Sequence, residues 1–286
     1  MSVALSLLPI VLGPSAGLPA AAAATGDIST VAGTGAAVAA LAVVVAGLWA
    51  FAAVAEAVRE GGTQAFDDAV LRWIGAHQVP WIADAALRVT ALASGTTITV
   101  TVGIAAMFLW LTRHRHSAAL LLITAATEVV INGLLKVLFG RPRPHIFTWG
   151  QHVVTSSFPS GHSMTAAAVY GTVAYLAARL QRRRVSRVLT LLAAGVVILL
   201  IGASRMYLGV HYPSDVAGGF AMGLAWAAFC MAALEAMQRL VARRAPEALA
   251  EELPPERATE EAMAAAGAAR AAGALDAVGD VKRYDS

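Results

Sequence analysis

An all-α, polytopic membrane fold with six transmembrane helices is what this sequence predicts, and three observations predict it. Of its 286 residues, 58% are hydrophobic and only 14% are charged, whereas a soluble domain of that size carries about a quarter charged residues. Apolar runs recur that reach the roughly 20 helical residues needed to cross a hydrocarbon core. The arginines fall mostly in short loops beside those runs, as the positive-inside rule requires.

Residues 1–30 form an apolar lead interrupted by Pro9, Pro14 and Pro19. No Lys or Arg precedes it and the prolines break its core, so it makes a poor signal peptide and reads as a loose or interfacial segment. The membrane domain is expected over 31–244, with spans near 33–55, 92–112, 117–139, 160–179, 186–204 and 214–238. Between the first two spans, Phe66, Val70, Trp73 and Ile74 recur at helical spacing among Asp67, Asp68 and Arg72. That pattern predicts an amphipathic helix lying in the interface, with Trp73 and Trp81 at headgroup level. Residues 245–286 are rich in Ala and Glu, broken by Pro254-Pro255, and are expected as a disordered cytoplasmic tail.

Charge fixes an orientation. Arg113 and Arg115 follow span two, Arg179, Arg182, Arg183, Arg184 and Arg187 follow span four, and Arg239, Arg243 and Arg244 end span six. With six spans these loops share one face, which should be cytoplasmic, together with both termini. Residues 1–244 hold 17 basic and 9 acidic side chains, and 245–286 hold 4 and 9. A basic core with an acidic tail suits nucleic acid in principle, but the loop placement favours the membrane and no nucleic-acid partner is expected. The single cysteine, Cys230, excludes an intrachain disulfide and a Cys-based metal site.

Three polar clusters interrupt the apolar chain, all on the face opposite the arginine loops: Lys136 with Arg143-Pro144, Pro159-Ser160-Gly161-His162, and Ser204-Arg205 with His211 and Asp215. Ionisable groups near a bilayer are costly, so a set able to surround one anion calls for a functional reading. Lys136 is the only lysine before Lys282 and shares a helical face with Asn132 and Glu128; it could equally be a snorkelling residue. Asn132 is a candidate link to Lys136, and Glu128, near mid-span, should be paired or protonated. Arg141-Pro142-Arg143-Pro144 cannot continue a helix and becomes an extended arm carrying two guanidiniums, whose planar forks suit phosphate.

Pro159 and Ser160 read as a helix start, where Gly161 would let an anion approach the backbone. His162 then stands where it could protonate a leaving oxygen; a plain capped helix is the bland alternative. Pro213 marks another start and puts Asp215 in the first turn, within reach of His211. A carboxylate there would orient the imidazole and raise its basicity, freeing the other nitrogen for attack. Taken alone, the pair could simply clamp a loop.

Together the clusters resemble the type 2 phosphatidic acid phosphatase superfamily, whose signature is K-x6-RP, PSGH and SR-x5-H-x3-D. Every signature position is filled over roughly residues 60–240. The resemblance implies a metal-independent, cofactor-free phosphatase in which His211 is the nucleophile, Asp215 its orienter and His162 the acid. Lys136, Arg143, Ser160, Gly161 and Arg205 would bind the phosphate, and Arg141, outside the signature, would support at most. The substrate implied is a lipid phosphate whose tail stays in the bilayer: phosphatidate, lysophosphatidate, phosphatidylglycerol phosphate or a polyprenyl diphosphate. The expected location is the cell (plasma) membrane, multi-pass, with the site on the extracytoplasmic face. A lipid phosphotransferase would use the same histidines with an alcohol acceptor, and a transporter lined by Glu128, Asn132 and Lys136 is a different class. The oligomeric state is not encoded in any of these features.

Overall fold

The computed structural model describes residues 25–147 and 155–244, with side chains over 41–147 and 155–237. Most of the N-terminal lead, the acidic tail, and the side chains of Arg239, Arg243 and Arg244 lie outside the described residues. Among those residues every regular element is helical: α1 Thr25–Arg59, α2 Gln64–Ala76, α3 Pro80–Ala91, α4 Gly95–Leu111, α5 Arg115–Phe139, α6 Gly161–Thr165, α7 Gly171–Leu180, α8 Arg184–Tyr207 and α9 Pro213–Arg244. A π-helical turn, Ala166–Tyr170, joins α6 to α7.

Among the described residues four stretches are long and apolar enough to cross a membrane: Leu41–Arg59, Arg115–Phe139, Arg184–Tyr207 and Pro213–Met237. A fifth is the pair α3 and α4, bent by 46° at a short break. The second expected span, 92–112, thus falls on α4, which is long and apolar enough to cross only together with α3. Ser94 caps α4, its hydroxyl accepting the Thr97 N–H at 3.3 Å, so the chain turns before the helix begins. The stretch expected at 160–179 is the composite of α6, the π turn and α7.

The outer surface is apolar. Val100, Ile104, Phe108, Leu134 and Val137 are each more than half exposed, as lipid-facing side chains must be when hydrocarbon is the solvent. Inside, α9 lies along α1 and crosses α6 and the π turn. This crossing is close because glycines line it: a Cβ on Gly219 would stand 2.7 Å from the Ser160 carbonyl oxygen and 2.9 Å from the Ser163 Cβ. Small residues let helix backbones approach where no hydrophobic force drives them together. The seam seats the start of α6, which carries His162, against the start of α9, which carries Asp215.

Two local features aim the remaining segments. Gly140 ends α5 in the left-handed conformation (φ 56°) and its N–H bonds the Lys136 carbonyl, after which the proline arm departs. The segment after span one is helical as expected, and its two faces are distinct. Phe66 and Trp73 are each 64% exposed, while Asp67 and Leu71 are fully buried. An acid rather than an aromatic points into the protein.

Candidate active site

The three clusters meet at one end of the bundle. The start of α9 shows how the sequence builds its share. Tyr212 precedes the helix, Pro213 takes its first position, and Asp215 reaches back so that its Oδ2 accepts the Tyr212 N–H at 2.8 Å, the acidic half of a capping box. That places Asp215 Oδ2 3.4 Å from His211 Nδ1. The contact is not aligned as a hydrogen bond, and Nδ1 has no other partner among the described residues.

The second ring nitrogen of His211 settles the tautomer. Arg143 Nη1 lies 3.1 Å from Nε2 and also donates to the Val210 carbonyl at 2.8 Å. A guanidinium can only donate, so Nε2 is the acceptor and the ring proton belongs on Nδ1, facing Asp215. His211 is 1% exposed. Burial lowers its pKa from 6.5 to about 4, against the pull of Asp215 and with the help of Arg143 and Arg205. The imidazole is therefore neutral at physiological pH, with a lone pair on Nε2.

Cations surround that lone pair. Arg143 is braced by the Thr155 carbonyl at 2.8 Å and the Thr155 hydroxyl at 3.1 Å. Lys136 Nζ approaches the same hydroxyl at 3.4 Å. Arg205, in the last turn of α8, is 3% exposed, and its Nη1 donates to Thr90 at 2.8 Å. Its buried Nε has no partner among the described residues, and a buried donor left open is what an anionic oxygen would satisfy. His162, partly exposed, lies within the electrostatic reach of Arg205, His211, Lys136 and Arg143.

Ser160 and Gly161 sit at the start of α6, and Ser160 is its cap. Its side chain is fully buried and bonded to Ser163 at 2.9 Å, while its N–H donates to the Asp215 carbonyl at 3.0 Å. A Cβ on Gly161 would meet Asn132 Oδ1 at 3.1 Å, so packing already requires glycine there. Asn132, considered as a link to Lys136, instead lies against Gly161 and bonds Met164 Sδ at 3.4 Å. Glu128 is buried, with both carboxylate oxygens 3.0 Å from the Thr165 hydroxyl.

Sequence reasoning passed over several groups. Ser157 donates to Asp215 Oδ2 in a short hydrogen bond. Arg141, assigned a supporting part at most, is buried and donates to Asp215 Oδ1 at 2.6 Å and to Asp67 Oδ2 at 2.9 Å. The one available signal was the helical pairing of Asp67 with Leu71, which the aromatics on the other face outweighed.

Comparisons with known proteins point to one family. Residues 117–239 match the family model described as the PAP2 superfamily. Phosphatidylglycerophosphatase B of Bacillus subtilis (strain 168) is 33% identical over 175 residues, covering 61% of this chain and 86% of the relative. Lipid A 1-phosphatase of Rhizobium johnstonii is 34% identical over 138 residues, covering 45% of this chain and 52% of that protein. Among solved structures, the transmembrane PAP2 type phosphatidylglycerolphosphate phosphatase from Bacillus subtilis superposes with a TM-score of 0.65 at 30% identity. The superposition covers 68% of this chain and 98% of that one.

Proposed function

The chain belongs to the PAP2 superfamily of membrane phosphatases, and from that premise we propose that it hydrolyses a lipid phosphate through a phosphohistidine on His211. The observation that carries this reading is the setting of His211, its Nε2 beside the Arg143 guanidinium and its Nδ1 turned to Asp215. Nε2 attacks phosphorus in line with the ester oxygen, forming a P–N bond as the P–O bond breaks. His162 gives its proton to the departing oxygen. Asp215 stabilises the cationic ring that forms.

Lys136, Arg143 and Arg205 hold the equatorial oxygens, where charge gathers in the transition state. The open Nε of Arg205 supports that role. Water then attacks the phosphohistidine, His162 accepts its proton, and the P–N bond breaks to release phosphate. Ser160 and Gly161 serve the same pocket by shaping the start of α6, with any direct phosphate contact made through the backbone.

The substrate class is a phosphomonoester or diphosphate of a lipid. Phosphatidylglycerophosphate is the first candidate, because the relative covered over most of its length carries that name; phosphatidate and polyprenyl diphosphates share the chemistry. The site lies at the extracytoplasmic surface of the plasma membrane, with six spans, both termini cytoplasmic, and α2 in the interface. The arginine loops and the outward aromatics Phe66, Trp73 and Trp81 support that placement.

Phosphate release by detergent-purified protein, from a panel of these lipids in EDTA, tests the reading. Release that persists in EDTA and disappears in His211→Ala is expected. Full activity of His211→Ala would overturn the nucleophile. A transferred headgroup with little free phosphate would make the protein a transferase.

A further inference from the structure

One buried group outside the signature reaches the catalytic dyad from a separate helix. Asp67 sits on α2, fully buried. Its Oδ1 accepts the Ser214 N–H at 3.0 Å, and its Oδ2 receives Arg141 Nη2 at 2.9 Å together with a short bond from the Ser214 hydroxyl. The other arm of Arg141, Nη1, donates to Asp215 Oδ1 at 2.6 Å and to Ser214 Oγ at 2.8 Å. The guanidinium carbon stands 4.3 Å from the centre of the Tyr212 ring. Gln64, also on α2, accepts from Nη2 at 3.2 Å. One guanidinium therefore bridges two buried carboxylates, one of which faces His211.

We infer that Asp67 is a positioning residue for the reaction, acting through Arg141 to hold Asp215 against His211. This rests on the phosphohistidine reading given above. The charge count explains why a second carboxylate is useful. Arg141 paired with Asp215 alone would neutralise the carboxylate that must face a ring becoming cationic. With Asp67 sharing the guanidinium, the cluster of two acids and one base keeps a net negative charge behind His211. Burial opposes the charge on Arg141, yet Asp215 and Asp67 outweigh it and raise its pKa. Two-armed bonding also fixes the plane of the guanidinium, and with it the Asp215 oxygen it holds. Outer partners of this kind typically change activity by about ten- to a hundredfold when removed.

α2 carries Phe66 and Trp73 on its outer face and Asp67 on its inner face, so the carboxylate that braces the dyad comes from a helix outside the three signature segments.

The test compares Asp67→Asn, which keeps the shape and loses the charge, with Leu71→Ala, which empties the same buried face one turn on. Asp67→Asn is expected to lower kcat by about tenfold or more with KM within about twofold. Its inhibition constant for vanadate, a mimic of the five-coordinate transition state, should rise by the factor that kcat/KM falls, while inhibition by inorganic phosphate stays unchanged. Leu71→Ala should lower the Tm and leave kcat, KM and both inhibition constants in place.

Wild-type kcat and vanadate inhibition in folded Asp67→Asn would overturn the inference, as would identical kinetic behaviour of the two variants. Should Asp67→Asn not fold, Arg141→Lys carries the test: an ammonium keeps the charge and cannot bridge both acids. The same loss is expected, and wild-type kcat there would overturn the proposal. His211→Ala run alongside separates the two levels. An active His211→Ala ends the phosphohistidine reading itself, whereas an inactive one beside a normal Asp67→Asn ends only the role of Asp67.

Discussion

Asp215→Asn replaces one atom and disturbs more than orientation. The carboxylate receives three donors, with Arg141 on Oδ1 and both Ser157 and the Tyr212 N–H on Oδ2, and Oδ2 also faces His211 Nδ1. An amide offers one oxygen. If its NH2 turns toward Arg141, two donors oppose each other and a buried ion pair is broken, a loss of about 3–5 kcal/mol. If the NH2 turns the other way, the Tyr212 N–H loses its acceptor, at about 1–3 kcal/mol. The ion pair with Arg141 then becomes a bond to a neutral oxygen.

The second orientation is the less costly, and it also faces an N–H toward His211 Nδ1. That favours the tautomer with the proton on Nε2, where no lone pair remains for attack. Stability should fall by about 3 kcal/mol, and kcat by two to four orders of magnitude, roughly as for an orienting Asp in a catalytic triad. Thermal unfolding in detergent and phosphate release per folded protein measure the two effects separately. A variant with wild-type Tm and kcat within about threefold of wild type would refute the reasoning.

His162→Ala should nearly abolish turnover of alkyl lipid phosphates while preserving the initial burst of phenolate from an aryl phosphate such as p-nitrophenyl phosphate, whose leaving group needs no proton, even though later turnovers lose the base that activates water; loss of that burst would remove His162 from the acid role. Gly219→Ala puts a Cβ 2.7 Å from the Ser160 carbonyl, so it should cost about 1–3 kcal/mol as an overpacked seam and lower kcat by shifting α6, read by unfolding and turnover together. For pH, burial lowers the His211 pKa from 6.5 to about 4 despite Asp215. Between those values the unfolded chain binds a proton that the folded one does not, so stability should fall as pH drops from 6.5 and level off below about 4. At about 1.4 kcal/mol per pH unit this comes to at most about 3.5 kcal/mol; a His211→Gln Tm that falls as steeply as wild type over that range would contradict it.

The long apolar runs announced α5, α8 and α9 because hydropathy over some twenty residues is a local property. The break before α4 was also local, in Ser94-Gly95, but Ala91-Leu92-Ala93 before it read as the start of the apolar run that follows. The π turn at Ala166–Tyr170 leaves no trace in a row of alanines. His211, Asp215, Arg143 and Arg205 were readable because prolines and polar clusters mark them in an apolar chain. Asp67 was not, since its meaning depends on Arg141 and Ser214, 74 and 147 residues away. Ser160 shows the converse: its place in the signature suggested a phosphate contact, while its side chain caps α6.

The most direct measurement is rapid acid-free quenching of the enzyme during turnover of a lipid labelled in its terminal phosphate, followed by assay of the protein-bound label. The account predicts label that is stable to base, labile to acid, located on His211 and absent from His211→Ala. Turnover with no bound label at the shortest times, or label that survives acid and maps elsewhere, would contradict it.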